Sequence, residues 1–267
     1  MTHSIILTVH NKEFLLEKVL HGIKENTLGF YELNIILDGC TDSSEKIVKQ
    51  NKQKFDKINI YYADNVFETK ANNIGLKNSS GDYCTIIQDD MIIKEYGWNE
   101  RMIKPFQFND VFAVTSRTAH NWEFNQKTKH LYLKENLDNC WCDILNHVDH
   151  ANCHNTPRNI FAIRSSVNRG PLMLKHEDIK SLNYLDENFA PQDMDDHDLC
   201  YRAKTKLGKI CGCYWIDYES KDSWGGTRIN GSPAPWLLQA NHKNTKLFLN
   251  IHKELIIKYR IKEDRLL

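Results

Sequence analysis

Two clusters of adjacent acidic side chains are the parts of this sequence best suited to chemistry. The first, Gln88-Asp89-Asp90, directly follows a short apolar run. Two neighbouring carboxylates repel each other, and a divalent cation relieves that repulsion. Hard oxygen ligands suit Mg²⁺ or Mn²⁺, which keep open positions for phosphate oxygens. The cluster therefore predicts a metal site, with Asp90 as its main ligand and Asp89 in support.

The second cluster is the run QDMDDHD at 192–198, which opens a predicted helix. Acidic residues at a helix N-terminus complement the helix dipole, and Asp198 stands four residues before Arg202, a spacing that suits an ion pair. These two effects explain only one or two of the four acids. A carboxylate crowded by others is expected to have a raised pKa and so to suit a general base. Asp196 is the predicted base, and Asp195 is the next choice.

Alternating strand and helix signals position these clusters. Apolar runs predict four strands in the first half, at 4–9, 33–37, 58–62 and 83–87. Helical segments separate them, with Asn11 as the predicted cap of the first and Asp42 with Glu45 as a capping box for the second. Strands that are apolar on both faces are typical of a mostly parallel sheet covered by helices on both sides.

The second half of the chain is less regular. It predicts strands at 111–115, 159–163 and 209–217, and helices near 175–182, at 195–207 and from 236 onward. Residues 117–157 have no clear period, which is typical of a functional insertion or of a region that binds an acceptor substrate. Trp122 and Trp141 in this segment are either sugar-stacking platforms or part of the core.

The domain organisation follows from these signals. We predict one domain at 1–232, with two halves at 1–115 and 116–232, and a C-terminal helical extension at 233–267. In open α/β sheets, ligands bind beyond the carboxyl ends of the strands. Thr8, His10 and Asn11 end the first predicted strand, and Asp38 ends the second.

Composition narrows the partners and the compartment. The formal net charge is zero, so no general attraction to nucleic acid is expected. No signal peptide or run of 18 apolar residues is visible, and the eight cysteines are expected to be reduced thiols, so a cytoplasmic protein is predicted. Cys and His residues at 140–154 leave a zinc site open. The basic residues after 243 leave open either peripheral membrane contact or a solvated helix face.

The order of these motifs resembles the family 2 glycosyltransferases of the GT-A (Rossmann-like) fold. SIILTVHN at 4–11 resembles the family's opening strand, LDGCTD at 37–42 its Asp-Asp-Gly-Ser-Thr-Asp turn, and KANNIG at 70–75 its Ala-x-Asn-x-Gly helix. GDY at 81–83 through QDD at 88–90 resembles the strand that leads into the DxD metal motif. NRGP at 168–171 and DDHDLCYR at 195–202 resemble the segment before the catalytic acids and the ED motif.

This resemblance implies an inverting transfer from a nucleotide-diphosphate sugar, most simply a UDP-sugar, with Mn²⁺ or Mg²⁺. It implies that 1–115 is the nucleotide-sugar-binding half of the domain and that 116–232 is the acceptor-binding half. It implies donor contacts from one set of residues: Thr8, His10, Asn11, Asp38, Lys70, Asn73, Gln88 and Asp89. It also implies that Asp196 deprotonates the acceptor, a saccharide, lipid carrier or protein. Three positions depart from the pattern, since Leu37, His10 and Gln88 replace an aspartate, a tyrosine and the first DxD aspartate. Asp222 stands near the place of a late metal ligand.

Two other classes remain as alternatives. A nucleotidyltransferase on a similar fold usually has a glycine-rich loop after its first strand, and residues 8–12 contain no glycine. A catalytically inactive nucleotide-sugar-binding module would have no use for two buried acidic clusters, because buried charge is costly. Both arguments favour the glycosyltransferase.

Overall fold

The computed structural model describes residues 2–107, 110–120, 122, 158–159, 161–221, 223–225 and 235–258. The first half alternates strand and helix, as predicted. Its elements are β1 (His3–Val9), α1 (Glu13–Asn26), β2 (Tyr31–Asp38), α2 (Ser44–Asn51), β3 (Ile58–Ala63), α3 (Phe67–Lys77) and β4 (Tyr83–Gln88).

The second half has shorter elements. They are β5 (Ile92–Ile93), α4 (Trp98–Ile103), β6 (Val111–Thr115), β7 (Ala119–His120), β8 (Ala162–Arg164), β9 (Ser166–Val167), β10 (Leu172–Lys175), α5 (His176–Ser181), α6 (Asp195–Lys206), β11 (Ile210–Cys213), β12 (Tyr218–Glu219) and α7 (Pro235–Lys258). The strand predicted at 209–217 is only four residues long, and β10 was not predicted at all.

Eight strands form one sheet in the order β3-β2-β1-β4-β10-β6-β11-β8. Strands β3, β2, β1 and β4 pair in parallel, and β11 is parallel to β6. Strand β10 is antiparallel to both β4 and β6, and β8 is antiparallel to β11. The predicted mostly parallel α/β sheet is confirmed, and β10 is the strand that joins its two halves.

Neighbouring side chains of β1 enter two separate cores, one on each face of the sheet. Leu7 packs with Val19 of α1 on one face, while Ile6 packs with Leu76 of α3 on the other. Each fully buried aliphatic side chain of this kind contributes about 1.5–3 kcal/mol. A Cβ on Gly75 would collide with Ile6, so glycine lets α3 approach the sheet closely. Helices therefore cover both faces, as predicted.

Helix α7 packs against the region around α6. Phe248 is fully buried beside Tyr201, and the Nδ2 of Asn244 donates to the carbonyl oxygens of Phe189 (2.6 Å) and Gln192 (2.7 Å). Hydrogen bonds from α7 therefore stabilise the turn that precedes α6. None of the described helices combines the length and the apolar character needed to cross a membrane.

The predicted cap of α1 is wrong. Asn11 has a φ of 47°, and Lys12 takes the N-cap position instead. The Oδ1 of Asn11 accepts hydrogen bonds from the backbone N–H groups of Thr41 (2.7 Å) and Asp42 (3.2 Å). Asn11 therefore ties the end of β1 to the turn after β2.

The predicted capping box is also wrong in its partners. The carboxylate of Asp42 accepts from the backbone N–H groups of Ser44 and Glu13, each at 2.9 Å, so it serves the first turns of both α2 and α1. Glu45 turns away from the cap and pairs with Lys49 at 2.6 Å. One side chain thus satisfies N–H groups at two helix starts, which have no partner within a helix.

Candidate active site

The carboxyl ends of β1, β2 and β4 bring several predicted donor-site residues together. The backbone N–H of His10 donates to Asp89 Oδ2 at 3.1 Å, and His10 Nδ1 lies 2.6 Å from the carbonyl oxygen of Asp38. A carbonyl only accepts, so Nδ1 carries the proton and Nε2 accepts from Asn11 Nδ2 at 3.2 Å. Parallel pairing places the three strand ends side by side, which explains this cluster.

The carboxylate of Asp38 is fully buried and serves the fold. It accepts from the backbone N–H groups of Val66 at 2.7 Å and Phe67 at 2.8 Å. These N–H groups belong to the start of α3, where they have no partner within the helix. Asp38 therefore fixes α3 against the end of β2 and presents its carbonyl oxygen to His10.

The α3 residues predicted to contact the donor lie in different surroundings. Asn73 is buried, and its amide bonds to both the carbonyl oxygen (2.9 Å) and the N–H (3.0 Å) of Leu185. Lys70 is exposed on the same helix. Asn72, which was not predicted, accepts a hydrogen bond from Thr8 Oγ1 at 3.0 Å and so connects α3 to the end of β1.

The predicted metal carboxylates have contrasting partners. Asp90 is 7% exposed, and within the described part of the chain its Oδ1 accepts no hydrogen bond, although Arg117 Nη1 lies 3.9 Å away. Asp89 lies 3.5 Å from Lys12 Nζ. Burial raises the pKa of Asp89 to about 6, since the opposing charge of Lys12 is offset by Asp90. A buried carboxylate oxygen without a partner calls for an explanation, and a cation supplies one.

The donor set fits a cation that a substrate helps to bind. Among the described residues, no three His, Cys, Asp or Glu side chains come close enough to hold a metal on their own. Magnesium-like ions are commonly held by one or two carboxylates together with phosphate oxygens and water. Asp90 and Asp89 provide that minimal set. Asp222, the third predicted ligand, lies outside the described residues.

The predicted acid pair is closely paired with a single arginine. The guanidinium of Arg169 contacts Asp195, and its backbone N–H (3.0 Å) and Nε (3.4 Å) donate to Asp196 Oδ2. Burial alone would raise the pKa of Asp196, but Arg169 and His197 outweigh it and hold that pKa below its ordinary value. The raised pKa expected for Asp196 is therefore wrong, because its donors outweigh the burial and its acidic neighbours.

Asp193 is the carboxylate of this run that has the raised pKa. Burial is the largest cause, and Asp196 adds to it, so that the pKa of Asp193 rises to about 6 despite Arg169. Asp193 and Met194 both have left-handed backbone conformations, with φ of 75° and 66°. Strain of this kind persists only where the surroundings enforce it.

Residues 4–170 match the family described as glycosyl transferase family 2. The chain belongs to glycosyl transferase family 2. The match covers β1 through the Arg169 loop, and it includes Asp89, Asp90 and the residues at the carboxyl ends of β1 and β2.

Curated relatives of this family 2 chain match over about a third of its length. Glycosyltransferase GlyA of Streptococcus pneumoniae is 34% identical over 94 residues, which is 35% of this chain and 14% of GlyA. The minor teichoic acid biosynthesis protein GgaB of Bacillus subtilis is 34% identical over 96 residues, or 34% of this chain and 11% of GgaB. The matched region is thus a small part of both relatives.

Solved structures share the fold over most of the chain. S. aureus TarS residues 1–349, in complex with UDP, has a TM-score of 0.58 at 13% identity and covers 96% of this chain and 70% of that one. GalNAc-T7, with UDP, GalNAc and Mn²⁺, has a TM-score of 0.69 at 12% identity and covers 96% and 49%. Glucosyl-3-phosphoglycerate synthase from Mycobacterium tuberculosis has a TM-score of 0.59 at 15% identity and covers 93% and 79%.

An aromatic cluster borders the acid pair of this family 2 chain. Trp122 Nε1 donates to Ser166 Oγ at 2.9 Å, and its ring stacks on His120 with centroids 5.4 Å apart and an interplanar angle of 18°. The Trp122 ring also contacts His197, the residue after Asp196, at 5.6 Å. Trp122 is therefore packed against the site, while Trp141 lies outside the described residues.

A small cleft lies beyond the ends of β2 and β3. Its volume is about 330 Å³, and its walls include Leu37, Cys40, Glu45 and Tyr62. Tyr62 is 60% exposed, and its hydroxyl donates to Glu45 Oε1 at 2.8 Å. Leu37, which replaces the family's aspartate, makes the wall apolar at this point.

Sequence reasoning missed the cations that organise the site. Lys12 is buried and reaches both Asp89 and the carbonyl oxygen of Trp224, at 2.8 Å, which places the Trp224 loop beside the metal carboxylates. Arg117 and Arg169 contact the two acidic clusters. Arg169 stands in the quoted NRGP motif, which was the available signal. Arg117 carried none, because only the fold brings it near Asp90.

Proposed function

We propose that this chain transfers a sugar from a nucleotide-diphosphate sugar, preferably a UDP-sugar, to an acceptor hydroxyl with inversion. The observation that carries the proposal is the buried Asp90 Oδ1, which accepts no hydrogen bond from the described residues and lies at the end of a strand beside a second carboxylate. TarS and GalNAc-T7, which share the fold, are described with UDP, and GalNAc-T7 also with Mn²⁺. Their ligands support the same donor class here.

The proposed donor site lies at the carboxyl ends of β1, β2 and β4. Thr8, His10 and Asn11 border it directly, and exposed Lys70 supplies a positive charge for the nucleotide. Asp38 and Asn73 contribute by holding α3 in place. Beside them, the apolar wall at Leu37 in the cleft beyond β2 offers a surface for the base.

Asp90 is the proposed main metal ligand, with Asp89 and Asp222 in support. A Mn²⁺ or Mg²⁺ ion at this position would neutralise the charge that develops on the leaving diphosphate. Lys12, buried beside Asp89, adds a fixed positive charge at the same place. Asp90 is thereby left as the less compensated carboxylate.

Asp196 is the proposed general base. Its lowered pKa keeps it ionised at neutral pH, so it carries no proton of its own, although the same shift makes it a weaker base than a carboxylate with an ordinary pKa. The hydroxyl oxygen then forms its bond to the anomeric carbon as the bond to the diphosphate breaks on the opposite face, which inverts that carbon. Asp195 contributes by holding Arg169 beside Asp196.

We also propose peripheral contact between α7 and an anionic membrane surface. Leu249 and Ile257 are 40% and 55% exposed, and they line one groove with Lys246 and Lys253. Apolar and basic side chains on one helix face are typical of helices that lie in the lipid interface. Co-sedimentation with phosphatidylglycerol vesicles, compared with phosphatidylcholine vesicles, tests this; equal and negligible binding to both would contradict it.

The donor proposal is tested by calorimetric titration with UDP, GDP, CDP and dTDP, each with and without Mn²⁺. We expect UDP to bind only when Mn²⁺ is present. Asp90→Asn should lose this Mn²⁺-dependent binding of UDP. Mass spectrometry of a UDP-sugar mixture with candidate acceptors then identifies the product. If no nucleotide diphosphate binds, the proposed function is contradicted. Binding of a nucleotide diphosphate without transfer to any acceptor favours the inactive nucleotide-sugar-binding module, and release of pyrophosphate from a nucleoside triphosphate favours the nucleotidyltransferase.

A further inference from the structure

Gln88 stands where the family's metal motif has its first aspartate, and its amide contacts two charged residues of opposite sign. Its Oε1 accepts from Arg117 Nη1, and its Nε2 donates to Glu68 Oε1 at 3.1 Å. An aspartate or glutamate could accept from the arginine but could not donate to Glu68 when ionised. The departure from the family pattern therefore has a specific consequence, because a neutral amide can bridge a cation and an anion.

The chain of contacts continues from Glu68 to the acid pair. Glu68 Oε2 accepts from Arg169 Nη1 at 3.4 Å, and Arg169 in turn contacts Asp195 and Asp196. Arg169 and Arg117 are 5% and 11% exposed in their side chains and Glu68 is 27% exposed, so the two arginines are shielded from water and the Glu68 contact is partly shielded. Shielded charge pairs are much stronger than surface pairs and hold their geometry.

The backbone presses the Arg169 loop against Gln88. Gly170 follows Arg169 with a φ of 84°, and a Cβ at this position would collide with Gln88 Oε1. A side chain at 170 would therefore push Gln88 away from Arg117 as well as straining the backbone. Close approach of the two segments makes the position of the Gln88 amide dependent on the position of Arg169.

At the metal end, Gln88 controls where Arg117 lies. Arg117 Nη1 is 3.9 Å from Asp90 Oδ1, beyond hydrogen-bond distance, while it bonds to Gln88. A guanidinium without that acceptor would close on Asp90, since charge-assisted pairs form at about 2.7–2.9 Å. Arg117 would then occupy the oxygen that a cation needs.

We propose that Gln88 is a positioning residue with two tasks. It holds Arg117 off the metal carboxylate Asp90, and through Glu68 it holds Arg169 on Asp195 and Asp196. The roles of those carboxylates rest on the proposed function, whereas the positions of Arg117 and Arg169 do not. Four side chains in contact, those of Arg117, Gln88, Glu68 and Arg169, thus link the two ends of the site.

Two variants separate the two tasks. Gln88→Met keeps the length and loses both hydrogen bonds, so Arg117 closes on Asp90 and Mn²⁺ binds in the presence of UDP about tenfold more weakly. Gln88→Glu still accepts from Arg117 but repels Glu68, and it adds a carboxylate at the first position of the metal motif, so Mn²⁺ affinity does not fall while kcat falls about tenfold. Gln53→Glu, at an exposed position in the turn after α2, is the matched control and leaves both quantities unchanged.

The measurements are Mn²⁺ calorimetry with UDP present, kcat, and crystal structures of the wild type and Gln88→Met. We expect the Arg117–Asp90 separation to shorten to hydrogen-bond distance in Gln88→Met. An unchanged separation, or equal Mn²⁺ affinity of Gln88→Met and the wild type, overturns the inference. If the wild type binds no Mn²⁺ with UDP, the proposed function fails, and the Arg117 position in the two structures still decides the inference.

Discussion

The two acidic clusters look alike in sequence and differ in their surroundings. Lys12 lies 3.5 Å from Asp89 and Arg117 lies 3.9 Å from Asp90, whose Oδ1 accepts no hydrogen bond from the described residues. Arg169 contacts both Asp195 and Asp196, and both oxygens of Asp196 accept hydrogen bonds, whereas Asp195 has only its ion pair with Arg169 within the described part of the chain. The pKa of Asp89 is consequently raised, while that of Asp196 is lowered. Two adjacent carboxylates in the sequence therefore do not determine the pKa values of a site. Those pKa values depend on the cations that the fold brings close to the carboxylates.

Removal of Arg169 is expected to have the largest effect on stability. Arg169→Met leaves two buried carboxylates without their cation, which should lower the free energy of unfolding by about 3–5 kcal/mol. Urea denaturation measures this. Lys94→Met, which breaks an exposed pair with Glu219, is the control and should cost less than about 1 kcal/mol. Equal costs for the two variants would mean that the acid pair is not compensated as the structure indicates.

The substitution Asp193→Asn tests a carboxylate whose pKa is shifted in the opposite direction to that of Asp196, although Arg169 acts on both. The pKa of Asp193 is about 6 in the folded protein, against an ordinary value of 3.8. A folded pKa above the unfolded one makes ionisation destabilising, so the penalty is full above about pH 6 and disappears as the pH falls toward 4. The variant should be more stable than the wild type at pH 7.5, by about 1–2 kcal/mol, and equal to it at pH 4.

Urea denaturation at both pH values checks this expectation. Asp186→Asn, at another partly exposed acidic position, serves as the control. A difference between Asp193→Asn and the wild type that stays constant with pH would show that Asp193 does not titrate in this range.

The fold was predictable where local pattern is strong. β1, β2 and β4 are apolar on both faces and end in polar residues, so both the sheet and the position of Asp89 and Asp90 at its carboxyl edge follow from the sequence, while their role as metal ligands stays a prediction. β10 was missed because four residues are too few to show a strand period, although it joins the two halves of the sheet. The lowered pKa of Asp196 was missed because Arg169 stands 27 residues away in the chain.

Lys12→Met should destabilise the protein less than Arg169→Met does. Lys12 Nζ is 3.5 Å from Asp89, and it also donates to the carbonyl of Trp224. Loss of one long pair and one hydrogen bond should cost about 1–2 kcal/mol, less than the loss of Arg169. Urea denaturation of both variants compares how strongly a cation stabilises each acidic cluster. If Lys12→Met lowers the free energy of unfolding more than Arg169→Met does, the difference between the two clusters is the reverse of the one described.

The most direct test of a division of labour between the clusters compares Asp90→Asn with Asp196→Asn. Mn²⁺-dependent UDP binding by calorimetry and kcat with a UDP-sugar are measured for both. We expect Asp90→Asn to lose the binding, and Asp196→Asn to keep it while kcat falls by about 10²–10⁴-fold. If Asp196→Asn instead loses Mn²⁺-dependent binding, or turns over at the wild-type rate, the assignment of metal ligand and base to separate clusters is contradicted.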